Sequence, residues 1–211
     1  MTRFRSRILF VILPPVLAGC AASSGVPATA IAQPAIAAAY LPLHASVHLG
    51  IDSADGAAVV IAPGIAVTNS HNANLLDGQQ VIGTARDYDL MFFRTPHQAA
   101  PATAPPVAGE AVTAYGQGTE GELRVAHGVV REIHRCDGCG APAWFTFSNP
   151  KRQADDAGPG FSGGPVLDGA GRLVGITFGY RDSGGERLIY AYDMARVGAE
   201  FSALRKAANS P

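Results

Sequence analysis

The sequence predicts an all-β domain closed by a short C-terminal helix. Three observations predict it. The apolar runs are short, and Gly, Pro and Asp separate them, with 25 Gly and 15 Pro among 211 residues. That is the punctuation of strands and turns rather than of long helices. Several runs are rich in Val, Ile and Phe, as at Ile65–Thr68 and Leu173–Phe178. A helical period appears at Ala191–Leu204, where Met194, Val197, Phe201 and Leu204 fall on one face.

Taken in order, the chain opens on an export signal. Arg3, Arg5 and Arg7 form a positive start, and Ile8–Leu17 is an apolar run interrupted by Pro14 and Pro15. It is too short to span a bilayer. It ends in Leu17-Ala18-Gly19-Cys20, which resembles a bacterial lipobox. The resemblance implies that residues 1–19 are a lipoprotein signal peptide and that Cys20 is acylated. Ala21 after the Cys resembles outer-membrane sorting, so the expected place is the bacterial cell envelope, on the periplasmic face of the outer membrane. Residues 20–39 carry no charge and are rich in Ala, Ser and Pro, which predicts a tether. The whole chain carries 16 basic and 17 acidic residues. Removing residues 1–19 leaves 13 against 17, near −4. An acidic chain of this kind is not expected to bind nucleic acid.

Residues 40–211 have the length of one domain. Its first half predicts strands at Ser46–Ile51, Ala57–Ile61, Ile65–Thr68, Gln80–Thr84 and Leu90–Phe93. A Pro/Ala connector follows at residues 95–109. The second half predicts strands at Ala111–Tyr115, Leu123–Ile133, Trp144–Phe147, Pro165–Asp168, Leu173–Phe178 and Ile189–Tyr192. The closing helix is expected to occupy residues 194–207.

Chemistry concentrates in three stretches. Gly158–Val166 reads GPGFSGGPV and places Ser162 among glycines. Bare backbone there can turn sharply and bring N–H groups close to a substrate. A serine hydroxyl needs a base, and the base needs a carboxylate to orient it. Pro63–Asn72 (PGIAVTNSHN) ends a predicted strand just before His71, and Asp87–Phe93 (DYDLMFF) puts Asp89 at the start of another. Asp87 is the rival carboxylate. GFSGG also fits the nucleophile elbow of α/β-hydrolases, but that fold needs its His after the Ser. Histidines 44, 48, 71, 97, 127 and 134 all precede Ser162.

With the order His71, Asp89, Ser162, the chain resembles the chymotrypsin/trypsin-like serine proteases. It is nearest the bacterial HtrA (Deg) branch, whose motifs resemble TNxHV, DLAVL and NPGNSGGPL. The resemblance runs from about Ser46 to Leu204. It implies two six-stranded-type antiparallel β-barrels, one at about 40–95 and one at 110–193, with the site between them. Only 18 residues separate His71 from Asp89, so the first barrel is expected to be trimmed, and no PDZ domain is expected. The resemblance implies a serine endopeptidase acting on protein or peptide substrates through His71, Asp89 and Ser162, without metal or cofactor. Gly160 and Ser162 would supply the oxyanion N–H groups. Phe161 stands where trypsin-like zymogens carry an Asp that pairs with a new N-terminus, so that ionic switch is absent. Thr177, Phe178 and Gly179 resemble the strand that pairs with substrate. Asp156 falls where trypsin carries its specificity acid, with Asp155 adjacent and a plain loop carboxylate as the alternative. The competing function is a protease-like module that binds peptides or envelope proteins without cutting them.

Cys136 and Cys139 (CDGC) form an even pair once Cys20 is acylated, which predicts a disulfide in an oxidising compartment. So small a loop gains only about 2 kcal/mol. A zinc site with His127 and His134 is the alternative, although CxxC supplies half the ligands.

Overall fold

The computed structural model describes residues 24–47, 52–135, 142–149 and 156–209. Cys20, Cys136, Cys139, Asp155 and His48 lie outside them, as do the signal peptide, the lipidation site and the disulfide expected from the sequence.

Two antiparallel sheets make the fold. The first has five strands: β2 (Tyr40–Val47), β3 (Asp52–Ala62), β4 (Ile65–Thr68), β5 (Val81–Thr84) and β6 (Met91–Arg94). Their order is β2-β3-β4-β6-β5, so the first barrel is trimmed, as the short His71–Asp89 spacing predicts. The second sheet is built from β7 (Ala111–Gln117), β8 (Leu123–Arg135), β9 (Pro142–Ser148), β10 (Pro165–Asp168), β11 (Leu173–Ser183) and β12 (Glu186–Asp193). The order β8-β7-β10-β11-β12-β9 closes on itself through β8–β9 pairing. Closure leaves a barrel of this kind with little unpaired edge. The architecture is chymotrypsin-like, with a helix, α2 (Met194–Ala208), after the second barrel.

Each sheet buries one set of alternating side chains. Val59, Val67, Leu90, Phe92 and Phe93 form the centre of the first cluster, which continues into Leu167, Leu173 and Ile176 of the second sheet. Phe145, Phe147, Phe161, Val166, Val174 and Ile189 fill the second barrel.

The structure departs from the sequence reading at two places. Residues 24–39, expected within a tether, are packed. They form β1 (Val26–Pro27), which pairs with β8, and helix α1 (Pro34–Ala39), whose Ile36 and Ala39 are fully buried. An uncharged Ala/Pro run looks like a linker, yet Ile36 has a core to enter. The first strand begins at Tyr40 rather than Ser46, because Tyr40–Val47 pairs residue for residue with Asp52–Val59. The closing helix begins at Met194, the expected start, and Ala191–Asp193, where the helical period of the sequence sets in, still pairs with β11.

Asp193 ends β12 and caps α2, its carboxylate accepting from the Ala195 N–H at 2.6 Å. Burial pushes this carboxyl up, against the N–H groups of Ala195 and Arg196 and the Arg196 charge that favour its ionised form. Asp193→Ala is expected to cost about 1 kcal/mol through loss of the cap. Asp193→Asn, which keeps an acceptor without a buried charge, should cost less. The midpoints of urea unfolding compare the two directly.

Candidate active site

His71 lies in a 3₁₀ turn (Ser70–Leu75) that follows β4 at the end of the first sheet. Asp89 precedes β6, and β4 and β6 are paired neighbours. That pairing brings the two residues together at one rim. His71 Nδ1 and Asp89 Oδ2 are 2.5 Å apart. The His71 backbone N–H also donates to Asp89 Oδ1 at 3.1 Å, and the Ser70 hydroxyl donates to the same oxygen. Partial burial pushes the Asp89 carboxyl up. The His71 ring, the Ser70 hydroxyl, the His71 charge and the His71 N–H outweigh it and hold the group at about 2. Asp87 is exposed and takes no part in these bonds.

Two further residues fix Asp89. The Asn69 side chain donates to its carbonyl at 2.9 Å, and its own N–H donates to the Tyr192 hydroxyl at 3.0 Å. Tyr192 belongs to β12, so the second barrel helps to place a carboxylate carried by the first. Sequence reasoning missed this contact, for nothing local joins two residues 103 positions apart.

Ser162 sits on the loop leading into β10. Upstream, Pro159 and Gly160 are the corners of a turn closed by the Phe161 N–H donating to the Gly158 carbonyl at 3.1 Å. Gly160 has φ +86° there, the conformation that a type II turn asks of its third residue. A Cβ at Gly160 would lie 2.0 Å from the Gln117 carbonyl oxygen, so glycine is required. Among the described residues the N–H groups of Gly160 and Ser162 donate to no protein acceptor. Downstream, Gly163 and Thr177 are joined through the Gly163 N–H and the Thr177 carbonyl at 2.8 Å, and the Thr177 N–H donates to the Gly164 carbonyl at 2.9 Å.

The first barrel grips this loop through the Ser162 carbonyl. It accepts from the Ala57 N–H at 2.8 Å and from the Asn72 side chain at 3.0 Å. Asn72 also donates to Thr68 Oγ1, which in turn donates to the Ala57 carbonyl. Asn72 stands where the quoted TNxHV pattern has Val. Its position next to His71 was the only signal that it joins the two barrels.

His71 and Ser162 line one cleft of about 260 Å³ with Gly158, Pro159, Thr177, Phe178, Gly179, Tyr180 and Ile189. Thr177, Phe178 and Gly179 thus line the cleft that holds Ser162. The Ser162 hydroxyl makes no hydrogen bond among the described residues, to His71 or to any other. Asp156 is not brought to the cleft wall. It is 2% exposed, its Oδ1 accepts from the Asn149 N–H at 3.2 Å, and its carbonyl accepts from the Gly25 N–H at 2.9 Å. Among the described residues no group of three or more His, Cys, Asp or Glu side chains is placed to hold a metal ion.

Beyond Thr177, β11 presents an edge to the cleft that has no partner strand among the described residues. β10 pairs with it only at Leu173–Ile176, while β11 continues to Ser183. An extended peptide can add there through main-chain bonds.

A family model for the trypsin-like peptidase domain matches residues 52–176, more than half of the chain. The chain belongs to the trypsin-like peptidase family. Solved structures share its fold at low identity. An inactive form of Rv3671c from M. tuberculosis H37Rv is 20% identical with a TM-score of 0.61, covering 89% of this chain and 98% of its own. The HtrA-type protease AlgW, solved with a tripeptide, is 20% identical with a TM-score of 0.62. That match covers 82% of this chain and 62% of AlgW. A serine endoprotease from Yersinia pestis is 17% identical with a TM-score of 0.61, and the match covers 80% of this chain and 63% of that one. This chain thus spans less than two thirds of AlgW and of the Yersinia enzyme. No curated protein matches it.

Proposed function

We propose that this trypsin-like peptidase is a serine endopeptidase acting through Ser162, His71 and Asp89. The observation that carries the reading is the His71–Asp89 pair opening onto the same cleft as Ser162. Ser162 Oγ attacks the scissile carbonyl while His71 takes its proton, and the negative charge moves to the carbonyl oxygen. The N–H groups of Gly160 and Ser162 receive that charge. His71 then protonates the leaving amine, the C–N bond breaks, and water releases the acyl group by the same steps in reverse. Asp89 keeps the imidazole in the tautomer that can accept from Ser162 and stabilises its cation.

The substrate lies along Phe178 and Gly179 of β11, next to Thr177, whose own N–H and carbonyl are bonded to Gly164 and Gly163. The described residues that line the cleft include no carboxylate, while Asp155, one of the two candidate specificity acids, lies outside the described residues. The substrates are proteins or peptides of the cell envelope. Lipidated Cys20 would stand four residues before Ser24, the first described residue. Four residues reach about 14 Å at most, so the anchor would hold the domain close to the bilayer surface.

One observation favours a binding module instead: the Ser162 hydroxyl lacks a hydrogen bond to His71. Catalytic hydrogen bonds are often long without substrate, so it does not outweigh the assembled pair. A fluorophosphonate probe separates the readings. The expected result is covalent labelling of the wild-type protein, located to Ser162 by peptide mass spectrometry. A folded wild-type protein that does not label would favour the binding module.

A further inference from the structure

Ser162 is approached by two halves of one loop, and the two halves are held differently. Downstream, Gly163 and Gly164 are fastened to Thr177 on β11. Upstream, residues 156–161 carry the Gly160 turn, where the Gly160 carbonyl accepts from the Gln117 N–H of β7 at 3.0 Å and the Phe161 carbonyl accepts from the Gly164 N–H at 2.9 Å. They also touch the N-terminal segment at three points. The Gly25 N–H donates to the Asp156 carbonyl at 2.9 Å. A Cβ on Gly158 would lie 2.2 Å from Ser24 Oγ, so Ser24 covers that glycine. A Cβ on Gly25 would lie 2.7 Å from Cζ of the Phe161 ring. Phe161 is fully buried, and Gly116 of β7 also meets the ring with bare backbone, a Cβ there falling 2.6 Å from Cγ.

The N-terminal segment is in turn clamped to β8. Arg124 Nε donates to the Ser24 carbonyl at 3.0 Å and Nη2 to the Gly25 carbonyl at 2.7 Å. The Ala28 N–H donates to the Leu123 carbonyl at 2.9 Å, and Val26 and Pro27 pair with Val125 and Arg124. A two-residue strand contributes little by itself. Charge-assisted bonds from one buried-side guanidinium supply the clamp. Gly25, at φ +66°, adopts a backbone that lets it meet Phe161 and Asp156 together.

We propose that Ser24–Pro27 is a positioning strap for the catalytic loop. Clamped by Arg124, it seats Phe161 and thereby fixes the Gly160 turn, whose N–H receives the oxyanion. Ser162 is held by β11 and the first barrel, so releasing the strap leaves the nucleophile placed and loosens the oxyanion donor. The chemical step should suffer while binding does not. This inference rests on the proposed role of Ser162.

The test uses the full chain, with fluorophosphonate labelling followed across probe concentration and with amide hydrogen exchange. Arg124→Met removes the clamp. Gly25→Pro removes the strap's bond outright, since proline has no N–H and cannot take a positive φ. Both variants are expected to lower the limiting labelling rate by about 10²-fold, the scale of one lost oxyanion donor. The half-saturating probe concentration should stay within about twofold by the same reasoning, since ground-state binding is untouched. The Phe161 amide should lose protection while amides of β11 keep theirs. Arg124→Lys, which keeps one charged donor, should recover part of the rate. An unchanged limiting rate and an unchanged Phe161 amide in Gly25→Pro would overturn the proposal. So would a loss of protection spread through both sheets, which would make the strap a general stability element. Failure of the wild type to label would instead strike the assignment of Ser162.

Discussion

Ser162→Ala should abolish turnover and leave the fold intact. The expected loss is about 10⁴–10⁶ in rate, the range for removing a triad nucleophile. The fold should survive because the hydroxyl bonds no described residue, whereas the Ser162 carbonyl carries the contacts to Ala57 and Asn72. Alanine keeps that carbonyl, and its smaller side chain fits wherever serine did. Hydrolysis of fluorescently labelled casein measures the rate, and thermal melting followed by circular dichroism measures the fold. His71→Ala should cost about as much. The double variant should be little worse than either, because the two residues act as a unit. Turnover retained in Ser162→Ala would place the chemistry elsewhere.

The parts of this molecule that the sequence made legible are those encoded within a few residues. Ile65–Thr68 and Pro165–Asp168 were bounded correctly because each apolar run meets a turn-forming residue at both ends, Gly64 and Asn69 for the first and Gly164 and Gly169 for the second. Gly160 and Gly163 could be read as backbone requirements, and both have positive φ in the structure. Pairing across the fold left no such trace. Tyr192 reaches Asp89 only because β12 of one barrel faces the rim of the other. Asp156 shows the limit of counting along the chain. That count offered a specificity acid or a plain loop carboxylate, and in the structure the residue is buried with Oδ1 on the Asn149 N–H and its carbonyl on the Gly25 N–H of the N-terminal segment. That segment was itself misread, since its low charge and high Ala content predicted a tether. What those properties could not reveal was a partner, Phe161, that needs a residue without a side chain against it.

Asp89→Asn should lower the rate by about 10⁴ while sparing the fold near neutral pH. The geometry gives the reason. Oδ1 of Asp89 accepts from both the Ser70 hydroxyl and the His71 N–H, so the amide oxygen of Asn must take that place. The amide NH₂ then meets His71 Nδ1 and compels it to accept. The imidazole proton is driven to Nε2, the nitrogen that must be bare to take the proton of Ser162. The same substitution tests the electrostatics. Asp89 is held at about 2 in the folded protein and titrates near 4 when unfolded. A folded value below the unfolded one means that ionised Asp89 stabilises the protein fully above about pH 4. That contribution disappears as the pH falls toward 2. Asparagine has no such titration, so the gap in melting temperature between wild type and variant should narrow from pH 4 to pH 2. A gap that stays constant over this range, with the rate still lost, would mean that Asp89 orients His71 without being held ionised by it. A rate that survives would remove Asp89 from the mechanism and leave His71 without the carboxylate that it bonds here.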